Sequence, residues 1–395
     1  MTTASSAGTP VVLRGVNLGG WLLQESWMCP VVGLDNKWAY WDTLYHLERR
    51  FGREQTAALV QIYEDHWLTT ADLDRIRAIG LNAVRLPFWY RNFQMDDEGT
   101  WRRDKTGGID FSRLDWAVEE CGKRGIYVIL DMHGAPGFQS NNHCSGRIGA
   151  CELYDDTEAG YRYRLRAIEL WEAIARHFKG NPTVAAYDLL NEPMNGDRHK
   201  DRPENKRWLW DLYDRMFRAI RAVDPDHIIT VEGVWEWDNL PDPRLFGWTN
   251  VLYQLHNYNY EKREIDFKIR DTRAHDGWNV PLLVGEFQGG PIWEYVLDAY
   301  NQNGISWMTW TFKGAKRDGP SSWFLYGGRP ETVDPVHDSY EEIARKWGTL
   351  RTDESFLPND EVIALLTRYA RVRTDGPLPL LRTDGRRLLA CGRDG

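Results

Sequence analysis

Residues 185–193 read Ala185-Ala186-Tyr187-Asp188-Leu189-Leu190-Asn191-Glu192-Pro193, an almost continuous apolar run that ends in polar residues and a proline. Such a run predicts a strand buried on both faces, Ala185–Leu190, as in a parallel sheet. Seven other runs of the same character predict the strands Val11–Val16, Ala83–Pro87, Tyr127–Met132, Ile228–Glu232, Val251–His256, Leu282–Glu286 and Ile305–Thr311.

Longer amphipathic stretches lie between these runs and predict helices. Four of them are followed within two residues by a glycine or proline that stops a helix, namely Thr70–Ile79, Phe111–Arg124, Arg162–Phe178 and Glu204–Val223. Eight strand–helix units in series predict a closed (β/α)8 barrel, a TIM barrel, rather than an open doubly wound sheet. The segment Arg14–Trp21, after the first strand, also departs from the Gly-x-Gly-x-x-Gly turn of dinucleotide-binding sheets.

The chain is expected to form one catalytic domain, residues 11–372, between a flexible N-terminus, 1–10, and a peripheral C-terminal tail, 373–395. Three connections are unusually long: from Trp21 to about Phe51, from Gly134 to Gly160, and from Lys313 to Asp338. Long ordered loops are usually functional. They are predicted to elaborate the C-terminal face of the barrel, where the active sites of such barrels lie.

Composition excludes several classes of partner. The net charge of −9 disfavours nucleic-acid binding, because phosphate contacts need clustered lysine and arginine. No stretch approaches the roughly 20 apolar residues that span a bilayer.

The first ten residues, Met1 to Pro10, lack the basic and apolar regions of a signal peptide. The expected location is therefore the cytoplasm, or outside the cell if a leader has been removed.

The five cysteines are few and odd in number, which is typical of a reducing compartment: Cys29, Cys121, Cys144, Cys151 and Cys391. Cys144 and Cys151 are close enough in sequence for a loop disulfide or half of a metal site. Free thiols are the favoured interpretation.

The chain contains 20 tryptophans, several-fold more than usual for its length. Nine of them fall in or beside predicted loops: Trp21, Trp27, Trp38, Trp41, Trp89, Trp235, Trp237, Trp310 and Trp323. A tryptophan-rich core would explain the number of tryptophans but not their position in or beside predicted loops. Because a flat indole face suits the C–H face of a sugar ring, the position of these residues favours a binding cleft.

Polar or aromatic residues lie at or near the ends of several of the predicted strands: Arg85, His133, Asn191, Glu192, His256, Tyr258, Glu286 and Trp310. Each alone is explained as readily by a surface position, a salt bridge, a structural histidine or a turn. In a barrel, however, strand ends converge on one site. Their joint occurrence therefore favours an active site that contains two carboxylates.

Paired carboxylates about 5–5.5 Å apart catalyse retaining glycoside hydrolysis by double displacement. Arg85 beside one carboxylate would keep it ionised, and we assign that nucleophile role to Glu286. Glu192 is then predicted to be the acid/base with a raised pKa. Asn191 is predicted to hydrogen-bond the sugar 2-hydroxyl.

Three further side chains are given supporting roles. Tyr258 and His256 are predicted to hold or polarise the carboxylates, and Trp310 to form the floor under the reacting sugar.

The strand-end motifs resemble those of the cellulase-type glycoside hydrolase family five over roughly residues 11–350. The matching blocks are Leu190-Asn191-Glu192-Pro193, Val284-Gly285-Glu286-Phe287, Asn82–Pro87, Asp131–Gly134, His256-Asn257-Tyr258 and Trp307–Trp310. The resemblance implies a barrel with catalytic glutamates on strands four and seven. It carries over Glu192, Glu286, Asn191, Arg85, His133, His256, Tyr258 and Trp310 as the active-site set, and it implies no metal or organic cofactor.

The segment Arg14–Glu25 and the block His133–Gly137 are similar to the exo-β-1,3-glucanase branch of that family. In that branch the glutamate matching Glu25 binds hydroxyls of the terminal glucose, which implies exo action. The chain departs from the branch at Met28–Val31 and at Asn141–Cys151.

The expected function is that of an exo-acting retaining β-glucosidase or β-1,3-glucanase-like enzyme. The same chemistry on another substrate, as in a β-mannosidase, diglycosidase, glycosylceramidase or endo-glucanase, is the alternative. A non-catalytic carbohydrate-binding barrel is disfavoured, since both carboxylates are present. A metal-dependent barrel hydrolase is disfavoured because Asn17-Leu18-Gly19 stands where His-x-His would be needed.

Overall fold

The computed structural model describes residues 11–32, 37–194, 203–316 and 322–370. Eight parallel strands close into a barrel in the order of the sequence. They are β1 (Arg14–Asn17), β2 (Ala83–Trp89), β3 (Tyr127–Gly134), β4 (Val184–Asp188), β5 (Ile228–Glu232), β6 (Val251–Asn257), β7 (Leu282–Phe287) and β8 (Ser306–Thr309). All eight predicted strands and the predicted TIM barrel are therefore confirmed. The predicted flexible N-terminus, 1–10, and the predicted tail, 373–395, lie outside the described residues.

Helices connect the strands and cover the outside of the barrel. They are α1 (Tyr40–Trp67), α2 (Thr70–Ile79), α3 (Ser112–Lys123), α4 (Glu158–Phe178), α5 (Pro203–Val223), α6 (Lys262–Ala274), α7 (Trp293–Gln302), α8 (Tyr340–Trp347), α9 (Thr352–Ser355) and α10 (Asp360–Ala370). The four helices predicted from stop signals are confirmed. Gly80 caps α2 in the left-handed conformation, φ +97°, which a glycine adopts without strain. None of the described helices is long and apolar enough to cross a bilayer.

The prediction of a long ordered loop from Trp21 to about Phe51 is wrong in its second half. Residues from Tyr40 onward form α1, which bends at Gly52, where φ is +79°. Its buried positions include Leu47 before the bend and Leu59 after it. Because Gly52 is not helical, the helical period of the sequence is interrupted there.

The long connection after β8 contains regular structure as well. Three short strands, β9 (Lys313–Ala315), β10 (Tyr326–Gly328) and β11 (Phe356–Pro358), form a small sheet. β10 pairs in parallel with β9 and antiparallel with β11. This sheet ties the last part of the described chain to the segment that follows β8.

The barrel interior has two layers. Toward the amino ends of the strands it is an apolar plug, formed by Leu13, Ala83, Ile129, Ala185, Ala186, Leu252, Leu283 and Met308. Toward the carboxyl ends it is polar, with fully buried Arg85, Asp131, Asp188, Glu232 and Gln254. Charged groups are almost never fully buried unless they are paired. This layer of buried polar residues is therefore expected to hold the side chains of the site above it in place.

Candidate active site

A cavity of about 410 Å³ opens at the carboxyl ends of the barrel strands. Seven of the nine predicted site residues line it: Glu25, His133, Asn191, Glu192, Tyr258, Glu286 and Trp310. Its volume lies toward the lower end of the roughly 300–1,000 Å³ typical of small-ligand pockets. A larger groove of about 1,090 Å³ is formed largely by residues of α7 and α10, but neither glutamate of the predicted catalytic pair lines it.

The two glutamates predicted to be catalytic face each other in this cavity. Glu192 follows β4 and Glu286 lies in β7, as the strand-end pattern predicts. One carboxylate oxygen of each and one ring nitrogen of His256 all lie within 4.8 Å of one another. Retaining pairs stand about 5–5.5 Å apart, whereas inverting pairs leave about 6.5–9.5 Å for a water. The spacing is therefore that of a retaining pair.

Glu286 is held on both of its oxygens. Arg85 donates from Nη1 to Oε1 at 2.8 Å, and the Tyr258 hydroxyl donates to Oε2 at 2.8 Å. The predicted contact with Arg85 is thus present. Burial nevertheless raises the pKa of Glu286 above its ordinary value, and the positive charge of Arg85 opposes that rise. These two fixed donors orient the carboxylate and stabilise its negative charge.

Glu192 has different surroundings. His256 Nδ1 lies 3.0 Å from its Oε1, and the Cys144 thiol donates to its Oε2 at 3.6 Å. Burial lowers the pKa of His256 to about 3, with Arg85 adding to the effect, so this histidine is neutral at pH 7. A neutral imidazole and a thiol stabilise a carboxylate less than a guanidinium does. This asymmetry agrees with the assignment of Glu192 to the acid/base role, which stays a prediction.

Glu25 occupies another part of the cavity wall. Its Oε2 accepts a hydrogen bond from Trp27 Nε1 at 2.8 Å and lies 3.0 Å from His143 Nε2. Burial alone would raise the pKa of Glu25, but His143, His133 and Trp27 together hold it below the usual value. The cavity therefore contains a third, ionised carboxylate.

Three further predicted residues line the cavity. Asn191 Oδ1 accepts from Arg85 Nη2 at 2.9 Å, while its Nδ2 has no hydrogen-bond partner among the described residues. The His133 ring stacks on Trp310, with the centroids 5.4 Å apart and the planes 9° apart. The stacked pair gives the cavity a flat aromatic surface of the kind that sugar rings pack against.

Arg85 and His256, the other two predicted site residues, do not line the cavity. Both are fully buried beneath it and reach the site through the glutamates. Arg85 also contacts Asp131 at 3.0 Å and Asp188 at 2.8 Å. These two residues therefore position the carboxylates instead of contacting a ligand directly.

Six cavity residues were not assigned to the site from the strand-end pattern: Trp27, Asn142, His143, Cys144, Trp235 and Trp323. Three of them belong to the loop tryptophans that favoured a binding cleft. In contrast, Trp21, Trp89 and Trp237 of that group are buried in the core. Cys29, Cys121, Cys144 and Cys151 are buried thiols outside any disulfide, as favoured from the sequence, and Cys391 lies outside the described residues.

Comparison with known proteins shows the family to which the chain belongs. Residues 51–316 match the sequence profile described as cellulase (glycosyl hydrolase family 5). A beta-xylosidase of Phanerodontia chrysosporium is 28% identical over 345 residues, which are 78% of this chain and 68% of that protein. A glucan 1,3-beta-glucosidase of Candida oleophila is 28% identical over 278 residues, 66% of this chain and 61% of that protein.

A solved structure has a similar fold. The crystal structure of a rutinosidase from Aspergillus niger superposes with a TM-score of 0.61, over 77% of this chain and 90% of that one, at 18% sequence identity. At this identity the likeness is one of fold. The match of the family profile covers most of the barrel, including both glutamates. The chain therefore belongs to glycosyl hydrolase family 5 and is a glycoside hydrolase with a carbohydrate substrate.

Proposed function

We propose that this chain is an exo-acting retaining β-glycosidase that removes a β-linked glucosyl unit from the end of a short oligosaccharide or glycoside. The observation that carries the proposal is the spacing of Glu192 and Glu286, which suits double displacement and leaves no room for a directly attacking water.

In the first step a carboxylate oxygen of Glu286 attacks the anomeric carbon and forms an ester bond to it. Glu192 gives its proton to the glycosidic oxygen, and the bond between that oxygen and the anomeric carbon breaks. Arg85 and Tyr258 hold the attacking group at a fixed angle, which lowers the entropic part of the barrier.

In the second step a water molecule takes the place of the leaving alcohol. Glu192, now ionised, accepts a proton from this water, whose oxygen bonds to the anomeric carbon while the ester to Glu286 breaks. Two inversions at one carbon restore its original configuration. Both glutamates return to their starting protonation states.

Asn191 supports the proposal through its unpaired amide. Asn191 lines the cavity, Arg85 holds its Oδ1, and its Nδ2 has no hydrogen-bond partner among the described residues and so remains available as a donor. A sugar 2-hydroxyl adjacent to the reacting carbon is a suitable acceptor. Such a contact strengthens in the transition state and contributes to the rate.

The exo assignment is supported by Glu25 and the small volume of the cavity. A carboxylate fixed in the cavity wall by Trp27 and His143 is suited to accept hydrogen bonds from the hydroxyls of a terminal sugar. The names of the relatives, a beta-xylosidase and a glucan 1,3-beta-glucosidase, agree with release of single sugars.

The wild-type enzyme is expected to release the β-anomer first from aryl β-glucosides and from short β-1,3-linked glucans. The measurement is proton NMR of the fresh hydrolysate, over a panel of aryl β-glycosides, a diglycoside and oligosaccharides. Release of the α-anomer first would contradict the retaining mechanism. Release of mixed internal fragments, or of disaccharide only, would contradict single-sugar exo action and leave retention intact.

Glu25→Gln is expected to lower kcat/KM for aryl β-glucosides by about 10- to 100-fold, because hydrogen bonds to a charged group contribute about 1.5–3 kcal/mol each. Activity on deoxy-glucosides that lack the recognised hydroxyl is expected to change much less. A uniform loss over all deoxy substrates would instead indicate a structural role for Glu25.

A further inference from the structure

Glu232 is the last residue of β5 and is fully buried beneath Glu192. Its Oε2 accepts two hydrogen bonds, from the backbone N–H of Glu192 at 3.0 Å and from Gln254 Nε2 at 3.1 Å. Glu192 has a positive φ of +39°, a conformation that costs energy in any residue other than glycine and needs support from its surroundings. Glu232 provides part of that support.

The other oxygen of Glu232 faces the histidine that contacts Glu192. Glu232 Oε1 and His256 Nε2 are 3.5 Å apart, and both are buried. Within the described part of the chain neither atom has a hydrogen-bond partner. Two buried polar atoms that face each other unpaired are costly, whereas a single proton between them would satisfy both.

The opposite ring nitrogen decides which of the two groups supplies that proton. His256 Nδ1 lies 3.0 Å from Glu192 Oε1 and 3.5 Å from Glu286 Oε2, so two carboxylate oxygens face it. In the proposed mechanism Glu286 starts ionised and the proton of Glu192 is directed at the glycosidic oxygen, so both groups present acceptor oxygens that favour a proton on Nδ1. Since the ring is neutral, Nε2 is then a lone pair, and its donor must be Glu232.

The charges around Glu232 agree with a protonated carboxyl group. Burial raises its pKa well above the ordinary value. The facing cation, Arg85, lowers it from 3.9 Å, but Arg85 is closer to Asp131, Asp188 and Glu286. The carboxyl groups of Asp188, Glu192 and Glu286 act in the same direction as burial.

We propose that Glu232 is a positioning residue for the acid/base, held as a carboxylic acid that donates from Oε1 to His256 Nε2. The proton on Nδ1 is thereby directed at Glu192, while Oε2 holds the backbone of the same glutamate. The proposal rests on the proposed function, because it takes Glu192 to be the acid/base.

Glutamine is a matched mimic of the protonated acid. In Glu232→Gln the side-chain oxygen must face the N–H of Glu192 and Gln254 Nε2, so the amide NH2 is left facing His256 Nε2. We expect this variant to keep kcat and the pH–rate profile of the wild type within about threefold. In Glu232→Met, which has similar length but no donor, kcat is expected to fall at least about 10-fold on substrates with poor leaving groups, as part of the 10²–10⁴-fold that acid–base catalysis contributes. KM is expected to change little.

The tautomer of His256 gives an independent test that needs no substrate. NMR of protein with isotopically labelled histidine, with the His256 signal identified by its loss in His256→Gln, is expected to show a proton on Nδ1 in the wild type and in Glu232→Gln. A proton on Nε2 in the wild type would overturn the proposal. So would a loss of activity in Glu232→Gln as large as that in Glu232→Met. If the tautomer is as expected but hydrolysis is not retaining, the proposed function fails and the hydrogen-bonded link from Glu232 to His256 stands.

Discussion

Glu286→Gln is expected to lower kcat by on the order of 10⁴-fold or more while sugar binding is retained. The amide cannot form the glycosyl ester, so the first displacement has no nucleophile. The side chain keeps its size, and it still accepts a hydrogen bond from Arg85 or Tyr258. Arg85 also retains its ion pairs with Asp131 and Asp188, so the barrel is expected to remain folded. Turnover of aryl β-glucosides and calorimetric binding of a sugar-like inhibitor measure the two halves of this expectation.

Glu64→Gln is a matched control. Glu64 is also a buried glutamate, 7% exposed, and it pairs with Arg113 at 2.8 Å on the helix layer, outside the cavity. The same change in charge and shape is expected to leave kcat within about twofold, because the side chain does not contact the site. Residual activity of more than about 1% in folded Glu286→Gln, shown free of wild-type contamination, would remove Glu286 from the nucleophile role.

The fold could be predicted because the strands of a parallel barrel require a recognisable sequence pattern. Each strand is buried on both faces, so a run such as Tyr127–Met132 is apolar almost throughout. The helix α2, which ends before Gly80, could be placed to the residue. The helix α1 could not, because the non-helical Gly52 interrupts its periodicity.

The site could be predicted where its residues stand on strands. The carboxyl ends of Ile228–Glu232, Val251–Asn257 and Leu282–Phe287 meet because the strands are parallel neighbours. Glu232, at the end of its strand, carried the same signal as Glu286, and an acid that ends an apolar run could have been singled out.

The loop residues of the site had no such signal. His143 and Cys144 stand on a short turn, His143–Ser145. The path of its loop is set by distant contacts, such as the hydrogen bond from the N–H of Trp41 to the carbonyl of Gly146 at 2.9 Å. Contacts of this kind leave no periodic pattern in the sequence.

Glu192→Ala is expected to produce a loss that depends on the leaving group. Glycosides with poor leaving groups need protonation by Glu192, and their hydrolysis is expected to slow by about 10²–10⁴-fold. The leaving group of an activated aryl glycoside departs without being protonated, so formation of the glycosyl ester on Glu286 is expected to remain fast. The second displacement then limits the rate, because no base activates the water, and steady-state turnover is expected to begin with a burst.

Azide distinguishes the two glutamates by the configuration of the product. In Glu192→Ala an azide ion, which needs no base, attacks the ester from the face that water uses, and the product is a β-glycosyl azide. In Glu286→Ala the azide fills the space of the missing carboxylate, attacks the substrate from the opposite face and gives an α-glycosyl azide. NMR of the isolated azides reports both outcomes. Recovery of the α-azide from the Glu192 variant would show that Glu192 is the nucleophile and Glu286 the acid/base. Absence of rescue with every activated substrate would show that Glu192 does not act in acid–base catalysis. Arg85 contacts Asp131 and Asp188 independently of both glutamates, so the polar layer beneath the site is expected to persist in both variants and the comparison isolates the two carboxylates.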